Sequence, residues 1–246
     1  MLLDDSSGYG QGLSTAGPAS NADGFVGRAF GGGAYYEARI KFNPNNINAA
    51  GGTIWPSFWS DPIEALANTR VPNSRWNAQW PGQATGYVNF DEDDFMEEPF
   101  TGNVGYYNGS IHNWYGIQAS CGGGWYCDSN NDGGSSNFNN NYNTLPPGTD
   151  FAQYHTYGQL WVAGNAANCG HGFVQYYFDG VACTDKVTWV DGIGSPPPQN
   201  QPWQFSVMDN QHMDVILGTG HNMWYTVNWV HIWQIPGQGT CVGSDC

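Results

Sequence analysis

Two stretches, Ala34-Tyr35-Tyr36-Glu37-Ala38-Arg39-Ile40-Lys41-Phe42 and Met223-Trp224-Tyr225-Thr226-Val227-Asn228-Trp229-Val230-His231-Ile232-Trp233-Gln234, change character at almost every residue. A period of two is what a strand with unlike faces requires. More such runs follow one another, and Gly- and Asn-rich turns separate them. One turn is Asp179-Gly180, a hairpin signal after Phe173-Val174-Gln175-Tyr176-Tyr177-Phe178. No helix-period window is long enough to suggest a bundle. The expectation is an all-β protein: a β-sandwich jelly roll of two antiparallel sheets. At 246 residues the chain suffices for one such domain with a full core, read as 1–246.

Acids are scarce, yet many of them crowd into Phe90-Asp91-Glu92-Asp93-Asp94-Phe95-Met96-Glu97-Glu98-Pro99-Phe100. On a strand, Glu92 and Asp94 share a face and Glu97 falls on the other. One extra residue in a β-bulge at Phe95-Met96 returns Glu97 to their side. Both glutamates are then expected to project within about two residue rises. Like charges that close cannot all ionise freely, so one acid stays ionised and another keeps its proton near neutral pH. Retaining glycoside hydrolysis needs that division between a nucleophile and an acid roughly 5 Å apart. A solvated acidic loop or a cation site is the plainer reading of the same run.

The spacing Glu92-x-Asp94-x-x-Glu97 resembles the signature of glycoside hydrolase family 16, and the flanks extend the likeness over roughly residues 34–234. Ala34–Phe42 resembles the family's early Glu-Ala-Arg strand. Ile54-Trp55-Pro56-Ser57-Phe58-Trp59 is similar to its Trp-Pro strand, and Tyr154–Trp161 to its His-Thr-Tyr-Gly strand. The resemblance implies a concanavalin A-like jelly roll, with Glu92 as nucleophile, Glu97 as acid/base and Asp94 as helper. It also implies a cleft lined by Trp80, His112 and Trp114, with Trp55 open to the same role and Trp59 more a core residue. Pro202–Gln211 looks like a late inner strand, where Gln204 or Gln211 could meet sugar hydroxyls. The family usually has an aliphatic residue at the position of Asp93. Either a partner such as an arginine meets that core-facing acid, or the register differs and Glu98 matters more. No cofactor is required for the chemistry. Asn228 stands where the family often has a calcium-binding Asp; an amide oxygen can bind Ca²⁺ but brings no charge.

Several segments are read from composition alone. Residues 1–33 are an irregular edge segment. Residues 119–150, low in complexity from Asn137 to Asn143, are a loop. Glu37 and Arg39 share a face and could pair. His155 is structural. Six cysteines, Cys121, Cys127, Cys169, Cys183, Cys241 and Cys246, suggest three disulfides in a secreted, extracellular protein; pairing within each neighbouring couple would close three short loops, and the other connectivities stay open. Asn108-Gly109-Ser110 is a glycosylation sequon, consistent with secretion. No signal peptide opens the chain, and Met1 is expected to begin the mature part.

The formal charge of −15, with six Lys and Arg, disfavours nucleic acid, anionic membranes and highly anionic glycans as partners. No apolar run is long enough to span a bilayer. The expected partner is a neutral polysaccharide, most simply a β-1,3-glucan or β-1,3/1,4-glucan, with β-galactan next, acted on by a monomer. A non-catalytic lectin-like module on the same fold and a transglycosylase using the same acids are the alternatives.

Overall fold

A computed structural model describes residues 2–4, 11–18, 24–42, 55–66, 87–97, 105–117, 137–190, 204–220, 224–243 and 246. Its strands are β1 (Leu2–Asp4), β2 (Gln11–Ser14), β3 (Ala16–Pro18), β4 (Phe25–Gly31), β5 (Ala34–Phe42), β6 (Trp55–Ser60), β7 (Tyr87–Glu97), β8 (Tyr106–Ile117), β9 (Asn137–Thr144), β10 (His155–Val162), β11 (His171–Phe178), β12 (Val181–Ala182), β13 (Val187–Val190), β14 (His212–Met213), β15 (Ile216–Gly220), β16 (Trp224–Trp233) and β17 (Thr240–Gly243). Among the described residues, helix is limited to one turn, Ile63–Leu66, and two 3₁₀ stretches, Ala166–Asn168 and Gln204–Asn210.

The strands form two large antiparallel sheets. One has the order β1-β16-β5-β10-β11-β12, with β13 also on β11, and the other β2-β15-β6-β7-β8-β9. A small sheet, β14-β4-β17 with β3 on β4, completes the set. The alternation of β5 sets the interface: Tyr36, Ala38, Ile40 and Phe42 are buried while their neighbours are half-buried. They join Phe58, Phe95, Met96, Tyr107 and Ile111 of the opposite sheet in one apolar cluster. Tyr36 stacks on Phe95 at 4.6 Å between ring centroids. Hydrogen bonds also cross the sandwich. Tyr107 Oη donates to the Tyr177 carbonyl at 3.1 Å, and Tyr225 Oη lies 3.0 Å from the Ser57 carbonyl. The fold is therefore the two-sheet sandwich that the alternation predicts.

The hairpin at Asp179-Gly180 is also as read: Phe178 pairs with Val181, and both turn residues have positive φ, 48° and 75°. That is the primed turn that matches strand twist. Asp179 braces it by accepting from Thr156 N at 2.8 Å and sitting 2.7 Å from His155 Nδ1, which makes His155 structural.

Four expectations fail. Residues 25–31, placed in an irregular edge segment, form β4, which pairs with β3, β14 and β17. Asn137–Thr144 is not loop but β9, paired along β8 from Asn137 opposite Asn113 to Thr144 opposite Tyr106. Backbone bonding to an open sheet edge overrides weak side-chain propensity. Gln204–Asn210 is 3₁₀ rather than an inner strand. Glu37 and Arg39 bond elsewhere, Glu37 to Tyr35 Oη and Arg39 to Asn228 Oδ1.

The disulfide scheme is corrected as well. Cys241 and Cys246 are bonded, but Cys169 and Cys183 are free thiols. Cys169 precedes β11, while Cys183 N donates to Tyr176 O far along that strand. The separation is roughly 20 Å at about 3.4 Å per residue, several times the reach of a disulfide. Cys121 and Cys127 lie outside the described residues.

Candidate active site

The register between β7 and β8 fixes where the acids stand. Glu92 pairs with His112, Asp94 with Ser110 and Glu97 with Asn108. Directly opposed residues share a face, and 112, 110 and 108 alternate, so all three acids project from one face. The register shifts between Asp94 and Glu97, where Phe95 and Met96 together face Gly109. This is the bulge anticipated from the sequence. Both bulged side chains are buried in the core cluster. A Cβ on Gly109 would lie 2.3 Å from the Tyr176 ring, so glycine lets that ring pack beneath the bulge.

One part of the geometric expectation changes. On β8 the partners of Glu92 and Glu97 are four positions apart, not two. At about 3.3 Å per residue that is roughly 13 Å of backbone.

Asp94 is fully buried. Its Oδ2 accepts from Ser110 Oγ at 2.9 Å and lies 3.1 Å from His112 Nε2. Burial pushes this carboxyl up to about 8; the Ser110 hydrogen bond opposes the rise, the charge of Asp93 adds to it, and a hydrogen bond with Glu92 opposes it. Burial also lowers the pKa of His112, against the pull of Glu92 and Glu97. The imidazole is thus neutral near pH 7. Glu97 accepts from Trp55 Nε1 at 2.9 Å. Burial first, then the neighbouring Asp94, raises Glu97 well above the carboxylate range, while the Trp55 hydrogen bond pulls it down.

The reverse face of β7 carries two acids: Asp91, to which the sequence reading gave no role, and Asp93, the core-facing acid expected to need a partner. Asp91 accepts from Asn113 Nδ2 at 2.7 Å and from Met208 N at 3.0 Å. Asp93 accepts from Gln159 Nε2 at 2.6 Å. Its partner is therefore a neutral amide and not an arginine, and the register keeps Glu97 among the three acids. Glu98 lies outside the described residues.

The other predicted contacts divide. His112 stands with the acids. Trp55 is 46% exposed while bonded to Glu97, so its indole is open to a ligand. Trp59, expected in the core, is half-buried and pairs with Asp94, which puts it on the acid face; Phe58 takes the core position. Gln211 is corrected: it is 1% exposed, with Oε1 accepting from Asp91 N at 3.2 Å behind the strand. Trp80 lies outside the described residues, as does the side chain of Trp114, whose backbone pairs with Phe90. Asn108 and Ser110 were missed, although their alternation with His112 is readable in the sequence.

Two sets of residues bear on metals. Glu92, Asp94 and His112 bring one ligand atom each within 4.8 Å of one another. Asn228 does not fit a calcium: its Oδ1 accepts from Arg39 Nη1 at 3.1 Å, and a guanidinium is an unfavourable neighbour for a cation.

No protein-family model matches the sequence, and no curated protein matches it. Among solved structures, the chain is similar to a GlcNAcα1-4Gal-releasing endo-β-galactosidase from Clostridium perfringens (14% identity, TM-score 0.45, 83% of this chain and 38% of that one). It is similar also to the κ-carrageenase of Pseudoalteromonas carrageenovora (15%, 0.47, 85% and 66%) and to an endo-1,3-β-glucanase from Streptomyces sioyaensis (19%, 0.45, 94% and 76%). The chain spans less than two thirds of the first two. At such identities and scores, any assignment of function rests on the site itself.

Proposed function

We propose that the chain is a retaining endo-glycosidase of β-linked neutral polysaccharide, with Glu92 as nucleophile and Glu97 as acid/base. The observation that carries this is a half-buried Glu97 on the same strand face as Glu92, tuned toward its protonated form by desolvation and by Asp94. Separated environments for two carboxyls are how one site supplies both an acid and a nucleophile.

In the first step a Glu92 oxygen attacks the anomeric carbon while Glu97 gives its proton to the departing glycosidic oxygen. The C–O bond to the leaving sugar breaks and a glycosyl ester of Glu92 forms. In the second step the Glu97 carboxylate takes a proton from water, whose oxygen attacks the same carbon and frees Glu92. Asp94, held by Ser110 and His112, sits between the two and orients Glu92 through their shared hydrogen bond. The exposed Trp55 indole offers a surface for sugar C–H faces beside the acid it hydrogen-bonds.

Low positive charge favours a neutral glycan, a β-1,3-glucan, β-1,3/1,4-glucan or β-galactan, and secretion suits a polymer too large to enter a cell. A panel of such glycans with a reducing-sugar readout is the first test. On a cleaved substrate, Glu92→Ala is expected to lose turnover and regain part of it with azide as an inverted glycosyl azide. Glu97→Ala with azide is expected to give the retained product. Binding without any cleavage across the panel would leave the lectin-like reading instead.

A further inference from the structure

We propose that Glu92, Asp94 and His112 form a binding site for one divalent ion of the zinc class, mutually exclusive with glycan chemistry. The binding itself does not depend on the proposed glycosidase activity; only the exclusion does.

The three ligand atoms come from two neighbouring strands of one sheet. Glu92 is paired directly with His112, and Asp94 with the residue two before it, Ser110. Backbone bonding therefore brings the donors together before any ion arrives, and they lie within 4.8 Å of one another. His112 Nε2 and Asp94 Oδ2 are 3.1 Å apart. Two donors on a tetrahedral zinc, each about 2.0–2.1 Å from it, are separated by about 3.3 Å, so this edge needs almost no adjustment.

A second observation points to a ligand independently of the cluster. Asp94 is fully buried, yet its Oδ1 accepts no hydrogen bond among the described residues. A buried carboxylate oxygen left without a partner is costly, and an ion held at the His112 edge by both oxygens of Asp94 would satisfy it. Ser110 Oγ, donating to Oδ2 at 2.9 Å, orients that carboxylate as outer-sphere donors do at metal centres.

The donor chemistry selects the ion. One imidazole nitrogen with two carboxylate oxygens suits zinc and its neighbours, whereas calcium and magnesium take oxygen sets. On binding, the His112 ring carries its proton on Nδ1 and turns the Nε2 lone pair to the ion. Glu92 is then held by the ion and is not free to attack an anomeric carbon.

The test is calorimetric titration of the whole chain, cleared of metal, with zinc chloride alone. One equivalent is expected to bind at micromolar or tighter affinity, with magnesium and calcium giving no heat. His112→Gln is expected to weaken zinc binding about 10–100-fold, the usual loss for a damaged metal shell. If that variant does not fold, imidazole nitrogen shifts in the wild type answer the same question, since zinc must move the Nε2 resonance of His112. Failure to bind zinc, binding unchanged in His112→Gln, an unmoved His112 resonance, or a preference for calcium would each overturn the proposal. Zinc is further expected to raise KM without lowering kcat on any cleaved glycan. Zinc binding without cleavage of any glycan would end the glycosidase reading and leave the metal site standing.

Discussion

Gln159 reaches from β10 across the sandwich to Asp93 on β7 and donates Nε2 to its Oδ1 at 2.6 Å. The other oxygen of Asp93 has no hydrogen-bond partner among the described residues. A carboxyl thus sits in the apolar core behind the acid face, met by an amide rather than a cation. Burial pushes it up to about 8; the Gln159 hydrogen bond opposes this, and the charge of Glu92 adds to it. At neutral pH Asp93 is a carboxylic acid.

That state links folding to pH. The folded value lies above the ordinary 3.8, so between about pH 4 and 8 the unfolded chain has released a proton that the folded chain keeps. Stability contributed by Asp93 is full below this window, falls through it and levels off above it. Asp93→Asn retains an acceptor for Gln159 and cannot ionise. Its stability relative to wild type is expected to rise across the window, by at most about 6 kcal/mol at the alkaline end. Urea denaturation at the two ends measures this, and a difference independent of pH would refute it.

Trp55→Phe removes the indole donor to Glu97 and leaves an aromatic surface. That hydrogen bond favours ionised Glu97, so its loss raises the pKa further. The alkaline limb of the pH–kcat profile is expected to move to higher pH, with kcat at neutral pH falling roughly tenfold or less. An unmoved limb would separate Trp55 from the tuning of Glu97.

Gly109→Ala puts a methyl where the Tyr176 ring lies, with contacts from 2.3 Å. The ring is fully buried in the core. Overpacking of this kind costs about 1–3 kcal/mol. Thermal denaturation is expected to show a clear fall in Tm, whereas Gly180→Ala, which meets no atom within 4 Å, costs only what its positive φ imposes.

The cysteines make a prediction of their own. Denatured, unreduced protein is expected to react with a thiol reagent at two or more sites per chain, and Cys169→Ser with Cys183→Ser is expected to remove two of them. A chain with no reactive thiol would contradict the separation imposed by β11.

The parts of the fold legible in the sequence were those written in side-chain alternation. β5 runs over Ala34–Phe42 as read, and the bulge at Phe95-Met96 followed from asking how Glu97 could join Glu92 and Asp94. What could not be read was set by partners distant in the chain. The Asn-rich Asn137–Thr144 is a strand because β8 offers it an edge, and Gln211 is buried because Asp91 N needs an acceptor. Trp59 stands on the acid face because it pairs with Asp94, which leaves Phe58 to the core beside Met96. The acids were visible; the partner that meets Asp93, Gln159 of β10, came only with the second sheet.

The sequon Asn108-Gly109-Ser110 lies within β8, between β7 and β9. Asn108 pairs with Glu97, and Ser110 gives its hydroxyl to Asp94. An oligosaccharyl transferase needs this tripeptide extended and free, a state that ends once the two neighbouring strands close around it. Glycosylation here is therefore a race against folding, and a chain that loses the race carries a bulky sugar over its own acids. Recombinant material from a host that glycosylates during translocation would then be a mixture of two masses, with only the lighter one competent, while a bacterial host would yield one.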